Sequence, residues 1–197
     1  MKFEYERLQT EQYFSYESES SKARAGQERF IRLTFTGMSC DLSILDLGCG
    51  DGIGLRCFRE MGFENVIGID LSFDKVEFAK QYGYKVMRHD IHSLLFCNER
   101  FDVVYSSHSL EHAQNPKLVL TEVSRVLKKD GLFILVLPFP DAGPLDAHCG
   151  KEILGTVVDD QGEKVIKFIE SFEFVLEKKS FDNYRETEIW LVLRRRG

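Results

Sequence analysis

ILDLGCGDGIG, residues 44–54, decides the reading of this chain. It begins as a compact apolar run and turns at Gly48. Glycines follow at 50, 52 and 54, before a segment of helical spacing, Leu55, Phe58 and Met61. A buried strand that feeds a glycine loop and then a helix lets backbone N–H groups and a helix N-terminus approach a ligand closely. The dinucleotide fingerprint G-x-G-x-x-G fails in every register, because its third glycine position falls on Ile53, Leu55 or Cys57. A G-x-x-x-x-G-K-[ST] phosphate loop is also missing. The pattern is instead D-x-G-x-G-x-G, with Asp46 two residues ahead of the first glycine.

Outward from this loop the chain alternates short apolar runs with amphipathic stretches. NVIGID (65–70) reads as a strand. SFDKVEFAKQYG (72–83) reads as a helix with Ser72 as N-cap, Phe73, Val76 and Ala79 at helical intervals, and Gly83 as its stop. KVMRHD (85–90) and FDVVYSS (101–107) read as strands. NPKLVLTEVSRVLKKDG (115–131) has an Asn cap, Pro in its first turn, and an apolar face of Leu118, Val119, Val123, Val126 and Leu127, with Lys128 and Lys129 near its C-terminus. GLFILVLP (131–138) is apolar on both faces. Strands of this kind, alternating with helices, imply a mostly parallel sheet covered on both sides. EKVIKFIES (163–171) reads as a helix. FEFVLEKKSF (172–181) and TEIWLVLRRR (187–196) read as a hairpin around DNYRE. The expected fold is therefore α/β, a doubly wound, Rossmann-like three-layer sandwich. Its sheet should have about seven strands, mostly parallel with an antiparallel final strand.

The totals narrow the class. A chain of 197 residues suggests a single domain with a sizeable core, and 43% hydrophobic with 29% charged residues is an ordinary globular mixture. The net charge of −6 argues against a protein whose main task is gripping nucleic acid. The dense basic run Arg194-Arg195-Arg196 reads as a solvated strand end. Five cysteines without a C-x-x-C pair fit a reducing compartment better than a disulfide framework. The polar start MKFEYERLQTEQ is not a signal peptide, and the apolar run Leu132–Leu137 is too short to span a bilayer. These features point to a soluble, cytoplasmic protein.

HSLEH (108–112) raises a competing reading, because it matches the zinc-hydrolase pattern H-x-x-E-H. A zinc site would need it inside a long helix. Here a strand enters His108, and Asn115-Pro116 restarts structure soon after Glu111. The expected metal content is none, and HSLEH becomes a loop at the carboxyl end of a strand, where ligands of open α/β sheets sit.

The glycine loop and the stretches C-terminal to it resemble the class I S-adenosylmethionine-dependent methyltransferases, in the small single-domain type with LDLGCGxG and LEH motifs. Asp70 closes the second strand and Asp90 follows the third. FDVVYSSHSLEHAQNP and LKKDGLFILVLP match the fourth and fifth strand regions, in order, over about residues 43–138. The resemblance implies S-adenosylmethionine as cofactor, with S-adenosylhomocysteine as product. It assigns cofactor contacts to Asp46, Gly48, Cys49, Gly50, Gly52, Asp70, Leu71, Asp90, Ile91 and Ser107. Asp70, 22 residues after Gly48, would accept from the ribose hydroxyls. Asp90 would accept from the adenine amino group. Cys49 reads otherwise as a small buried filler.

Methyl transfer to a protonated, weakly acidic acceptor needs a base, and His108, His112 and His148 are the candidates. The acceptor is expected to be a small molecule, such as a sugar, lipid-linked or secondary-metabolite compound. The absence of [DNS]-P-P-[YFW] after the fourth strand argues against amide or adenine-amino methylation. The alternative is a non-catalytic cofactor-binding or partner subunit of a larger methyltransferase. Within a single domain of residues 1–197, residues 1–42 form an N-terminal helical or lid segment, whose Phe3, Tyr5, Tyr13, Phe14 and Tyr16 could cover the acceptor. Residues 43–138 form the cofactor core. Residues 139–197 hold a substrate loop and the C-terminal hairpin. PFPDAGPLDAHCGKEILG (138–155) is the stretch expected to cover the acceptor.

Overall fold

A computed structural model describes residues 21–183 and 187–197. The expected aromatic lid on residues 3–16 and the middle of the hairpin connection lie outside the described residues. The elements in chain order are α1 (Ser21–Phe35), β1 (Ile44–Leu47), α2 (Ile53–Glu60), β2 (Val66–Asp70), α3 (Phe73–Gln81), β3 (Val86–Arg88) and β4 (Phe101–Ser107). A 3₁₀ turn (Leu110–His112) follows, then α4 (Pro116–Val126), β5 (Leu127–Pro138), α5 (Lys151–Leu154), α6 (Glu163–Glu170), β6 (Phe174–Asp182) and β7 (Glu188–Arg195).

The seven strands form one sheet in the order β3-β2-β1-β4-β5-β7-β6. β1 to β5 pair in parallel, and β7 runs antiparallel between β5 and β6. This is the mostly parallel, seven-stranded Rossmann-like sheet with an antiparallel final strand that the sequence pattern implied. Alternate residues of each strand feed two cores, as the two-residue period of a pleated strand requires. Leu45, Leu47, Val104, Phe133, Leu135 and Leu191 pack beneath α4 and α6. Ile44, Val103, Tyr105, Ile134, Val136 and Trp190 pack beneath α1, α2 and α3. On that second face Phe35, Phe58, Phe63 and Tyr105 meet edge to face, with ring centroids 4.8–6.1 Å apart.

Local signals set several element ends. The Ser72 side chain caps α3 by accepting from the Lys75 N–H, and Asn115 caps α4 by accepting from the Leu118 N–H. Pro116 stands in the first turn of α4. Two expected faces shift. Phe73 and Leu118, placed on apolar helix faces by spacing, are 59% and 50% exposed. The expected extension of α4 through Leu127 also fails. The helix ends at Val126, and Leu127 is already paired with Phe101 as the first residue of β5. Lys128 then bonds Asp102 at 2.8 Å, and the pairing register jumps between Phe101 and Val103. Lys128 thus serves a strand bulge rather than the helix C-terminus.

The order of strands positions the site. β1 lies between β2 and β4, so the chain leaves β1 in one direction and β4 in the other. The loops after β1 and β4 diverge at this switch point, and a crevice opens at the carboxyl ends of the strands.

Candidate active site

The glycine loop leaves β1 already pinned. The N–H groups of Gly48 and Cys49 both donate to the Ile69 carbonyl at 2.9 Å, which ties the turn to the end of β2. Gly48, Gly50 and Gly52 all have positive φ, at 77°, 55° and 94°. Gly48 also faces the loop after β4. A Cβ there would lie 2.6 Å from the Ser109 Cβ and closer still to its hydroxyl. Ser109 donates from that hydroxyl to the carbonyls of Gly48 (3.2 Å) and Ser107 (3.1 Å). The two switch-point loops are therefore in direct contact through a serine that only a glycine can accommodate. Sequence reasoning missed Ser109; its signal was a small polar residue inside HSLEH, opposite the first glycine in the fold.

Asp70 organises the other side of the loop. Its Oδ2 accepts from the Gly50 N–H at 2.9 Å, and its Oδ1 accepts from the Ser72 N–H at 2.8 Å. A carboxylate has about four acceptor positions, so roughly two remain on Asp70 after these bonds. Asp46 is 1% exposed, and its Oδ2 has no hydrogen-bond partner. Burial, with the charge of Asp70, pushes its pKa up to about 8, so it carries a proton at neutral pH. Gly54 admits this carboxyl: a Cβ on Gly54 would lie 3.3 Å from Asp46 Cγ and collide with its Oδ2. Cys49 is 4% exposed and packs over Gly68, where an added Cβ would lie 2.7 Å from its sulfur. Burial and the nearby Asp46 and Asp70 raise its pKa well above the ordinary thiol range, which leaves it a filler and not a nucleophile.

Leu71, Asp90 and Ile91 are half-buried along the same edge. The His89 N–H donates to the Asp70 carbonyl at 2.9 Å, so the turn after β3 is held beside the end of β2. Asp90 Oδ1 accepts from the His92 N–H (3.0 Å) and meets His92 Nδ1 at 2.7 Å, which fixes the direction of its carboxylate. Ser107 ends β4, half-buried and next to the Ser109 contact. The cofactor residues expected from the sequence thus fall in two groups, both at the carboxyl ends of the strands.

The histidines assemble on the β4 side. His108 has a left-handed backbone, φ 50°, and Leu110–His112 form a single 3₁₀ turn, so HSLEH lies on no long helix. Among the described residues no group of three His, Cys, Asp or Glu side chains could hold a metal ion. His108 stands between two buried carboxylates: Nε2 is 3.0 Å from Glu188 Oε1, and Nδ1 is 3.5 Å from Glu111 Oε1. Glu188 in turn accepts from the Trp190 indole at 2.9 Å. Glu111 is 1% exposed; burial opposes its charge, but His108 and His112 outweigh that and hold its pKa below the ordinary value. His112 Nδ1 donates to the Ala147 carbonyl at 3.0 Å, and burial lowers its pKa, which keeps the ring neutral. Its ring meets that of His148 edge to face, with centroids 4.8 Å apart. His148 Nδ1 lies 2.7 Å from Asp141 Oδ1.

The 139–155 loop is docked on the HSLEH turn largely through main-chain atoms. The Gly150 N–H donates to the Glu111 carbonyl at 2.8 Å, and the Cys149 thiol to the His112 carbonyl at 3.1 Å. Asp141 and Glu188 were not anticipated from the sequence. Asp141 sits in a loop without a pattern, and Glu188 reaches the site only because β7 inserts beside β5.

A family model described as a methyltransferase domain matches residues 45–135. The chain is 33% identical over 103 residues to the ubiquinone biosynthesis O-methyltransferase of Haemophilus ducreyi, covering 47% of this chain and 43% of that protein. Among solved structures, the PH0226 protein from Pyrococcus horikoshii superposes with a TM-score of 0.72 at 22% identity, over 94% of this chain and 99% of that one. A S-adenosylmethionine-dependent methyltransferase from Mesorhizobium loti superposes with a TM-score of 0.62 at 22% identity, over 79% and 91% of the two chains. The chain spans less than two thirds of the length of the first curated relatives it matches.

Proposed function

We propose that this chain, whose residues 45–135 match a methyltransferase-domain family model, transfers a methyl group from S-adenosylmethionine to a small-molecule acceptor, as the class I S-adenosylmethionine-dependent methyltransferases do. The observation that carries the reading is Asp70. Its carboxylate is held by the Gly50 and Ser72 N–H groups, with roughly two acceptor positions left for a vicinal diol such as the ribose 2′- and 3′-hydroxyls. Asp90, oriented by His92, would accept from the adenine amino group, with Leu71 and Ile91 as apolar neighbours of the base. The backbone of Gly48, Cys49, Gly50 and Gly52 would follow the ribose and methionine portions, and Ser107 would border them from the β4 side. Asp46, protonated beneath the loop, would offer its buried carboxyl oxygen to a water or an amino group.

The cofactor supplies a methyl group on a sulfonium, whose leaving group is a neutral thioether. The protein's part is to hold an acceptor in line with that methyl group and to keep water out. Orientation of this kind can contribute roughly 7–11 kcal/mol. The acceptor would enter beside HSLEH and the 139–155 loop, which bring His108, His112 and His148 together. The acidic balance of −6 supports a small molecule over nucleic acid. Among the described residues no helix is long and apolar enough to cross a membrane. The five cysteines are free thiols, which supports a cytoplasmic setting.

Isothermal titration with S-adenosylmethionine and S-adenosylhomocysteine tests the reading. Two hydrogen bonds to a charged acceptor contribute about 1.5–3 kcal/mol each, so Asp70→Ala is expected to weaken binding by at least tenfold. Wild-type protein that binds neither compound, or an Asp70→Ala variant within threefold of wild type, would overturn the assignment. Binding without transfer of labelled methyl to any acceptor would turn the reading to a non-catalytic partner subunit.

A further inference from the structure

Three histidines surround the acceptor side, and their partners separate their roles. His108 lies between the carboxylates of Glu188 and Glu111, so each of its ring nitrogens faces a carboxylate. His112 is kept neutral by burial and commits Nδ1–H to a backbone carbonyl. His148 differs from both. Its Nδ1 faces one carboxylate, Asp141, whose side chain is fully buried, while the His148 side chain keeps 19% exposure. Asp141 is itself fixed. Its Oδ1 also accepts from the Gly143 N–H at 2.9 Å, and its own N–H donates to the Thr156 carbonyl at 2.8 Å. The ring slots against Gly143, where a Cβ would lie 2.7 Å from His148 Cγ. A carboxylate that holds Nδ1–H sets the tautomer and turns Nε2 into the basic nitrogen.

Resting on the methyltransferase reading above, we propose that His148, oriented by Asp141, is the general base of this site, and that the acceptor is therefore a hydroxyl compound. An amine can lose its proton to bulk water before it binds, whereas an alcohol is too weak an acid for that and must give up its proton to a base during the transfer. The acceptor O–H bond breaks and its proton passes to His148 Nε2. The released oxygen electron pair forms the new O–CH₃ bond. The methyl–sulfur bond breaks with its electron pair left on sulfur, so the sulfonium becomes a neutral thioether. The imidazolium then gives its proton to water. Asp141 is a positioning residue: it holds the ring and stabilises the imidazolium.

The charged and titratable groups facing His148 are Asp141 on its own loop, Glu111, His108 and His112 on the HSLEH turn, and Lys151, whose ammonium reaches the Gly143 carbonyl. Burial works against the charged ring, but the Asp141 hydrogen bond and the charges of Glu111 and Asp141 outweigh it. The His148 pKa is thereby raised above 6.5.

The test has an arm that needs no acceptor. Diethyl pyrocarbonate acylates the neutral ring, and peptide mass spectrometry across pH reads the titration of each histidine. His148 is expected to react in the native protein with a midpoint above 6.5 that falls in Asp141→Asn. An unreactive His148, or a midpoint that Asp141→Asn leaves in place, overturns the proposal. Should Asp141→Asn fail to fold by circular dichroism, the wild-type midpoint and His148→Gln still decide it.

The second arm offers the wild-type enzyme a panel of alcohols, phenols, primary amines and thiols with methyl-labelled S-adenosylmethionine. Label is expected on hydroxyl compounds, with kcat reduced at least a hundredfold in His148→Gln while the calorimetric Kd for S-adenosylhomocysteine stays within twofold. Label only on amines or thiols, or a His148→Gln kcat within threefold of wild type, overturns it. Failure of wild-type protein to bind S-adenosylhomocysteine defeats the cofactor reading instead and is seen separately.

Discussion

Gly48→Ala should damage the fold through one neighbour, and a second substitution should repair part of the damage. Gly48 has φ 77°, a left-handed conformation that costs an alanine roughly 1–2 kcal/mol. The new Cβ would also stand 2.6 Å from the Ser109 Cβ and collide with its hydroxyl. Ser109 cannot swing clear without losing its bonds to the carbonyls of Gly48 and Ser107, so overpacking adds about 1–3 kcal/mol. The expected loss is about 2–5 kcal/mol. In a domain of this size each kcal/mol lowers Tm by roughly 2–4 °C. Ser109→Gly alone should cost about 1–2 kcal/mol, from the lost hydroxyl bond and the freer backbone. In Gly48→Ala/Ser109→Gly the nearest Ser109-derived atom becomes the Cα at 3.9 Å, an ordinary contact. The double variant should therefore be more stable than the sum of the single losses by about 1–3 kcal/mol, the steric part only. Urea unfolding of all four proteins measures the cycle. Additivity within about 0.5 kcal/mol, or a Gly48→Ala protein as stable as wild type, would refute the claim that the two loops meet through these atoms.

Three further outcomes concern Asp46, Asp102 and Phe58. The Asp46 pKa stands at about 8 in the fold against 3.8 outside it, so between these pH values the folded chain holds a proton that the unfolded chain has lost. Stability should then fall as pH rises through that window, by up to about 1.4 kcal/mol per pH unit. Asp46→Asn should flatten the slope in urea titrations from about pH 5 to 8, and parallel curves would contradict it. Asp102 behaves oppositely. Burial opposes its charge, but Lys128 and the hydroxyl and N–H of Ser43 hold its pKa below 3.8. Its contribution is present above that value and is lost as pH falls through the lower folded pKa. Asp102→Asn should reduce stability at about pH 6 and shrink the acid loss below about pH 4, read by thermal melts. Phe58→Ala, which empties the edge-to-face cluster around Phe35, Phe63 and Tyr105, should cost about 3–5 kcal/mol in chemical unfolding.

The gathering of the proposed cofactor residues at one edge of the sheet was legible because it is local. Asp46 lies one residue inside the end of β1, Gly48 and Gly50 follow that strand and Asp70 ends β2, and a parallel sheet brings strand ends together whatever the side chains beyond them do. The same holds for the strand count. Continuous apolar runs such as 131–138 bury both faces, and the hairpin at 172–196 could only be antiparallel. Helix ends were less legible where a tertiary pairing outcompeted the local pattern. Leu127 fits the apolar stripe of α4, yet it pairs with Phe101, and Lys128 follows it to reach Asp102. Phe73 and Leu118 satisfy the spacing of a buried face yet are exposed, although Val119 beside Leu118 is fully buried.

The carboxylate partners of the candidate histidines were not legible, for a different reason. Asp141 and His148 are seven residues apart in a loop with no period, and neither residue type signals a pair at that distance. What joins them is the docking of residues 139–155 onto HSLEH through the Gly150 N–H, the Cys149 thiol and the Ala147 carbonyl. Each of these contacts has a main-chain atom on at least one side, and the Gly150 contact has one on both, so little of the docking is written in side-chain identity. The side chains that matter are then placed by Gly143 and Gly150, because a Cβ on Gly150 would lie 2.8 Å from the Ala113 carbonyl. The sequence trace of this site is therefore two glycines that permit close approach, and the histidine's placement is their consequence. A substitution at Gly150 should accordingly disturb the His148 titration although it alters neither His148 nor Asp141. Gly150→Ala must push the loop off the HSLEH turn, which loosens the Asp141–His148 geometry and moves the diethyl pyrocarbonate midpoint toward the ordinary value of about 6.5. A Gly150→Ala protein with an unchanged midpoint would show that the pair is held by its own loop, independent of the turn beneath it.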